Sequence, residues 1–234
     1  MSDRFYVAEP LQRGPMSITG PEAHHIAQVL RLQAGDEIVL FNGDGREYPA
    51  RLELVKKSHL EVEVLDERAI SKEAVREITV ACPLPKGDRA TFLIEKLTEL
   101  GVAHYVPLRT ARSVVHPGGG KLEKLERQVI EASKQCGRNV LMTIEPMMEW
   151  DEVVQQPFAG VRWIADASGT TASEVTQQPI LVALGPEGGW TPEELSQARQ
   201  HQWQVVTLGA SILRIETAAI AATTFAAQQA LTPP

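Results

Sequence analysis

Leu184-Gly185-Pro186-Glu187-Gly188-Gly189-Trp190 is the first of two glycine-centred turns, and Leu208-Gly209-Ala210-Ser211-Ile212-Leu213-Arg214-Ile215-Glu216-Thr217-Ala218 is the second. Each follows a short apolar run of strand character, Ile180 to Leu184 and Val205 to Leu208, and each leads toward a helix. A single glycine pair is explained by turn chemistry alone. Two strand-turn-helix passages so close together predict two loops side by side at one sheet edge, which is where α/β proteins hold ligands.

After the first turn, Thr191 reads as an N-cap, Pro192 as the first helical residue and Glu194 as the partner closing a capping box. Glycine-rich loops that open helices commonly cradle phosphate, because free backbone N–H groups and the helix dipole favour an anion. Here Glu187 lies in the loop, Glu193 and Glu194 fill the first turn, and neither a Walker lysine nor GxGxxG spacing is present. A ligand with a neutral adenosine or a cationic centre fits better than a polyphosphate.

Working toward the N-terminus, strands and helices alternate. Ile78 to Cys82 reads as a strand, and Leu93, Leu97 and Leu100 mark a helix ended by Gly101. His104 to Leu108 returns to strand; Leu122, Leu125 and Val129 mark a helix that runs to Cys136 and stops at Gly137; Val161 to Ala165 is a further strand. The pattern predicts an α/β domain with a mainly parallel sheet over 78–234. Residues 1–70 read as a β-rich unit suggesting a compact barrel, with a strand Glu37 to Phe41, a turn Asn42-Gly43-Asp44-Gly45, a return strand Glu47 to Val55 and the alternation of Leu60, Val62 and Val64. Polar residues 71–77 form the expected linker, and His116 to Gly120 a surface loop.

The chain has 234 residues and 43% apolar content, enough for a packed core. It has no long apolar run and no charged-then-apolar leader, so a cytosolic protein without a membrane span is expected. Cys82 and Cys136 lack metal-ligand spacing and are read as free thiols, with no metal implied. The net charge of −7 argues against a general nucleic-acid coat, yet residues 78–138 carry ten Lys/Arg against six Asp/Glu. That basic segment is either a solvated face or a local anion-facing patch.

Arg214 and Glu216 stand out in an otherwise apolar and small-sided stretch, and an ordinary ion pair would account for both. Lys134 and Arg138, at the end of a helix, are explained by its dipole. Gln135 is not, nor are Arg109 and Arg112 just after a strand end. His24 and His25 have no serine or aspartate arrangement of a nucleophilic triad and are read as surface or RNA-edge residues. Ala218 to Ala222 and Ala226 to Ala227 make the last helix small-sided, for core packing or for a subunit contact.

Five blocks, LGPEGGWTPEE, LGASILRIETA, EASKQCGR at 131–138, KGDRATFLIEKLTELGV at 86–102 and HHIAQVLRLQAGD at 24–36, together resemble the ribosomal RNA small subunit methyltransferase E family of the SPOUT class. The resemblance covers nearly the whole chain, in order. It implies an N-terminal PUA-like β-barrel, a C-terminal α/β domain with a deep trefoil knot, and S-adenosylmethionine-dependent methylation of uridine N3 at one site in 16S rRNA, in the assembled small subunit. An open doubly wound sheet is what periodicity alone would give. The family's cofactor pocket falls on Leu184, Gly185, Pro186, Gly188 and Gly189 in the first turn and on Leu208, Gly209, Ile212 and Leu213 in the second. The resemblance also implies a homodimer that completes the active site. Ala210 stands where relatives often have proline, and Trp190 is read as a surface aromatic without a role.

Uridine N3 must lose a proton as it is methylated. Arg138 or Arg112 is the candidate to stabilise the uracil anion, Arg214 to hold the neighbouring phosphate or base, and Glu216 to accept the proton. His24, Arg31, Arg109, Arg112, Gln135 and Arg138 are the expected RNA contacts. Ribose 2'-O-methylation and a non-catalytic ribosome-assembly role remain the alternatives.

Overall fold

The computed structural model describes residues 3–70, 73–113, 119–172 and 177–229. Positions 71 and 72 of the expected linker and 116–118 of the expected loop lie outside them. The chain forms two compact units, one of 1–73 with 133–141 and one of 74–132 with 142–234.

In the first unit, β1 (Arg4–Tyr6), β2 (Gly14–Thr19), β3 (Glu37–Phe41), β4 (Tyr48–Lys56) and β5 (His59–Val64) form a sheet in the order β1-β3-β4-β5-β2. Only β1 and β3 pair in parallel. Leu60, Val62 and Val64 of β5 are all buried, as period-two alternation requires, and they join Phe5, Ile38, Leu40 and Leu52 in one core. Between β2 and β3 the chain makes a short helix α1 (Gly20–His24) that continues as a π-helix over His25–Leu30 and closes at Arg31 in the left-handed region, φ 58°. Segment 133–141 is fastened to this unit by long-range contacts. Arg4 donates to the Asn139 side chain at 2.6 Å, Asn139 donates to the Ile70 carbonyl at 3.0 Å, and Lys134 pairs with Glu22 at 2.8 Å.

The second unit is a parallel sheet. Its elements are β6 (Ile78–Cys82), α2 (Asp88–Glu99), β7 (His104–Arg109), α3 (Gly119–Cys136, whose residues from 133 onward count with the first unit), β8 (Thr143–Ile144), β9 (Met148–Glu149), α4 (Trp150–Gln155), β10 (Val161–Thr170), β11 (Ile180–Leu184), α5 (Pro192–Gln200), β12 (Gln204–Val206) and α6 (Ile215–Gln229). The order is β12-β10-β11-β6-β7-β8, with β9 also on β7, and each of these pairs is parallel. All five residues of β11 are buried, as a central strand covered on both faces demands. Helices α4 and α5 cover one face with Trp150, Val153, Val154 and Ala198. α6 packs against α2, β6 and β11, and its Ala219, Ala222 and Ala226 are fully buried there. These small side chains therefore serve close packing within the protomer. Of the two readings of this small-sided helix, core packing is the one Ala222 serves.

Among the described residues no helix is long and apolar enough to cross a membrane. Cys82 and Cys136 are both free.

Candidate functional site

The two glycine turns meet in one cavity of about 330 Å³ at the carboxyl ends of β11 and β12. All nine turn residues expected to form a cofactor pocket line it, with Ala165, Asp166 and Ala167 of β10 as the adjoining wall. A larger cavity of about 470 Å³ lies at the opposite end of the strands, among Thr79, His104 and Leu181. The smaller one is the ligand-site candidate, because open parallel sheets bind at the carboxyl ends of their strands.

The first turn is held from three directions. Below it, Trp190 is 6% exposed, donates from Nε1 to the Ala165 carbonyl at 3.0 Å and stacks on Trp150 with ring centroids 4.7 Å apart. This corrects its reading as a surface aromatic. A Cβ on Gly185 would lie 3.1 Å from that indole nitrogen, so any side chain at 185 would press on the ring, and glycine lets the turn pass close over it. On the outer side, Arg112 Nη1 donates to the carbonyls of Gly188 at 2.7 Å and Trp190 at 3.3 Å. Beyond the turn, Thr191 and Glu194 form the expected capping box, and the second oxygen of Glu194 accepts the Ala111 N–H at 2.9 Å. Glu194 thus ties the segment after β7 to the start of α5.

The second turn is arranged differently. Gly209 has φ +145° and open space where a Cβ would stand. Its glycine is demanded by backbone conformation and not by a close neighbour of the Cβ position. Ile212 is 98% exposed while lining the cavity, leaving an apolar side chain at the rim.

Arg214 and Glu216 do not pair with each other. Arg214 is exposed, and its guanidinium has no partner among the described residues. Glu216 is 7% exposed, and its carboxylate lies 3.7 Å from Arg89. Arg89 also reaches Glu187 of the first turn at 3.5 Å. Arg89, inside KGDRATF, carries no sequence signal of this role, because its partners are so distant along the chain. The Cys82 thiol, on β6, is pushed up to about 12 by burial, with the Glu216 charge adding to the rise.

The remaining candidates are dispersed. Arg109 is half exposed and paired with Glu149 at 3.2 Å. In the first unit, His24, Arg31 and Gln135 are exposed. Arg138 is 2% exposed, and its Nε donates to Glu73 at 3.2 Å within that same unit. A guanidinium enclosed in this way presents no face to an RNA. Its expected roles in catalysis and RNA contact give way to a structural one, because the cost of burying its charge is offset by the carboxylate it holds.

Among the described residues no Lys, Arg or His lines the cavity, whereas Asp166 and Glu187 do. Its volume falls at the lower end of small-molecule sites, about 300–1,000 Å³. Backbone groups of two turns, apolar walls from Leu184, Leu208 and Leu213, and an acidic bias fit a nucleoside with a positive centre.

Comparison with known proteins agrees with this geometry. A family model described as RNA methyltransferase domain matches residues 71–227, and one described as RNA methyltransferase PUA domain matches 18–65. Ribosomal RNA small subunit methyltransferase E of Synechocystis is 33% identical, with 93% of this chain and 75% of that protein covered. Its counterpart from Bacillus subtilis is 31% identical over 86% of this chain and 85% of its own. The crystal structure of the Neisseria gonorrhoeae enzyme of that name, bound to S-adenosyl methionine, superposes with a TM-score of 0.90 at 32% identity and 96% coverage of each chain.

Proposed function

Because the chain belongs to the ribosomal RNA small subunit methyltransferase E family, we propose that it methylates N3 of one uridine in the 16S RNA of the small ribosomal subunit, using S-adenosylmethionine, in the cytoplasm. The observation that carries this reading is the meeting of both glycine turns in one cavity whose charged lining, among the described residues, is Asp166 and Glu187. When bound there, the cofactor supplies a methyl group on a positively charged sulfur. Backbone N–H and C=O groups of Leu184 to Gly189 and of Leu208 to Leu213 hold the adenosine, and Trp190 and Arg112 keep the first turn in the shape that does so.

On the RNA side, Arg214 sits between two cavity-lining residues, Leu213 and Ile215, and carries a guanidinium with no protein partner among the described residues. It is assigned to the uracil oxygens or the neighbouring phosphate, and Glu216 to the N3 proton. Arg112 is placed at the rim, where it holds the turn and faces the substrate. Arg109 exchanges an exposed ion pair, worth little in water, for an RNA phosphate. His24, Arg31 and Gln135 extend the RNA contact over the PUA-like unit, whose finer form is a barrel. The target base must leave its stack to reach N3.

The finer fold reading is a deep trefoil knot. It is supported by the return of α6 from the edge strand β12 to the middle of the sheet, against β6 and β11. A homodimer is assigned to the outer face of α6, where Phe225 is 46% exposed. The reading is tested by incubating the protein with methyl-labelled S-adenosylmethionine and either small subunits or their naked RNA. Label in 16S RNA is expected, with assembled subunits preferred. RNA that stays unlabelled in both would leave an assembly factor without catalysis.

A further inference from the structure

Two carboxylates face the cavity, and they are not equivalent. Glu187 is 55% exposed and has Arg89 at 3.5 Å, so its charge is already shared with a protein cation. Asp166 has no Lys, Arg or His within ion-pair distance among the described residues. Its Oδ1 accepts the Ser168 N–H at 2.9 Å and the Ser168 hydroxyl at 2.6 Å, which orients the side chain and leaves Oδ2 without a partner among the described residues. It stands just beyond Ala165, the residue whose carbonyl anchors Trp190 beneath the first turn. A rigid, uncompensated negative charge thus forms one wall of the cavity.

We propose that Asp166 is the residue by which this cavity distinguishes the charged methyl donor from its spent product. The inference rests on the cavity being the S-adenosylmethionine site. Methyl transfer breaks a carbon–sulfur bond whose electron pair stays on sulfur, so the sulfonium becomes a neutral thioether, while the new carbon–nitrogen bond forms at uridine N3 and the N3 proton goes to the acceptor carboxylate. The adenosine, ribose and amino-acid ends are the same before and after. A binding preference between the two forms must therefore arise at the sulfur, and a carboxylate without a competing cation is the group in this wall able to supply it. Asp166 holds the donor more tightly than S-adenosylhomocysteine and so favours product exchange.

The test is calorimetric titration of the wild type, Asp166→Asn and Asp166→Glu with S-adenosylmethionine and with S-adenosylhomocysteine. Asp166→Asn keeps an oxygen for Ser168, and thermal unfolding of each variant checks that the fold is retained. The expected result is a loss of about tenfold in donor affinity for Asp166→Asn, the order of one partly screened charge pair, with product affinity nearly unchanged and the preference kept by Asp166→Glu. Added salt narrows the wild-type preference and leaves that of Asp166→Asn unaffected. Equal losses for both ligands would overturn the proposal, because the carboxylate would then hold a part they share. Unchanged affinity for both would overturn it as well. A wild type that binds neither would instead refute the assignment of the cavity.

Discussion

At Gly209 the chain adopts φ +145° with open space within 4 Å of a would-be Cβ. A Val at 209 must hold a conformation that costs a non-glycine residue about 1–3 kcal/mol, whatever the space around it. The second turn would relax to another shape. Gly209→Val is accordingly expected to lower S-adenosylmethionine affinity at least tenfold while the sheet stays folded, as calorimetry together with circular dichroism would show. Undiminished binding in a folded variant would remove this turn from the site.

Cys82 offers a second residue-scale prediction. Its thiol is pushed up to about 12 by burial, whereas in the unfolded chain it titrates near its ordinary value. The unfolded state therefore loses this proton first as pH rises. Its contribution to stability is complete below about pH 8.5 and declines as the pH climbs toward 12. Denaturant midpoints measured between pH 7 and pH 10.5 should fall, and Cys82→Ser should flatten that fall. A thiol reagent at pH 8 should modify half-buried Cys136 well before Cys82.

Trp190 shows how one side chain ties elements together, since it sits beneath the first turn, bonds to β10 and stacks on α4. Trp190→Phe keeps the apolar bulk and removes the hydrogen bond, a net loss of about 1 kcal/mol. Cofactor affinity should drop more than the melting temperature alone explains, because the ring supports the cavity wall directly. A variant with wild-type affinity would show that the indole only fills space.

Which elements could be read from sequence follows from where their signals lie. β5, β6, β11 and the capped start of α5 carry local periodicity or cap chemistry, and they form where expected. β10 runs past the expected end at Ala165 to Thr170, with a break in its register against β12 between Ala165 and Thr170, where pairing resumes with Val206. The π-helical turn at His25–Leu30 has the apolar spacing of an ordinary helix, and its wider hydrogen bonding and left-handed closure at Arg31 leave no mark in that spacing. Segment 133–141 belongs with the first unit because Arg4, Glu22 and Glu73 hold it, and none of these partners is close in sequence. The glycines of the cavity were legible for the same reason as the caps, through local conformation. Arg89, Asp166 and the support from Trp190 depend on contacts between distant strands and turns, which periodicity does not encode.

For the whole molecule, α6 uses Ala219, Ala222 and Ala226 for its own sheet and leaves Phe225 outward. Light scattering is expected to give twice the 25.7 kDa chain mass, and Phe225→Glu should shift the protein toward monomer and lower methylation. A fully active monomer at micromolar concentration would contradict the dimer.

The central claim joins the acidic-lined cavity of two glycine turns to chemistry at a single RNA atom. Its most direct test is mass-spectrometric nucleoside analysis of 16S RNA methylated by the wild-type protein. The account predicts 3-methyluridine as the labelled nucleoside, at one position. A methyl group on a ribose 2'-oxygen, or on a base other than uracil, would contradict it.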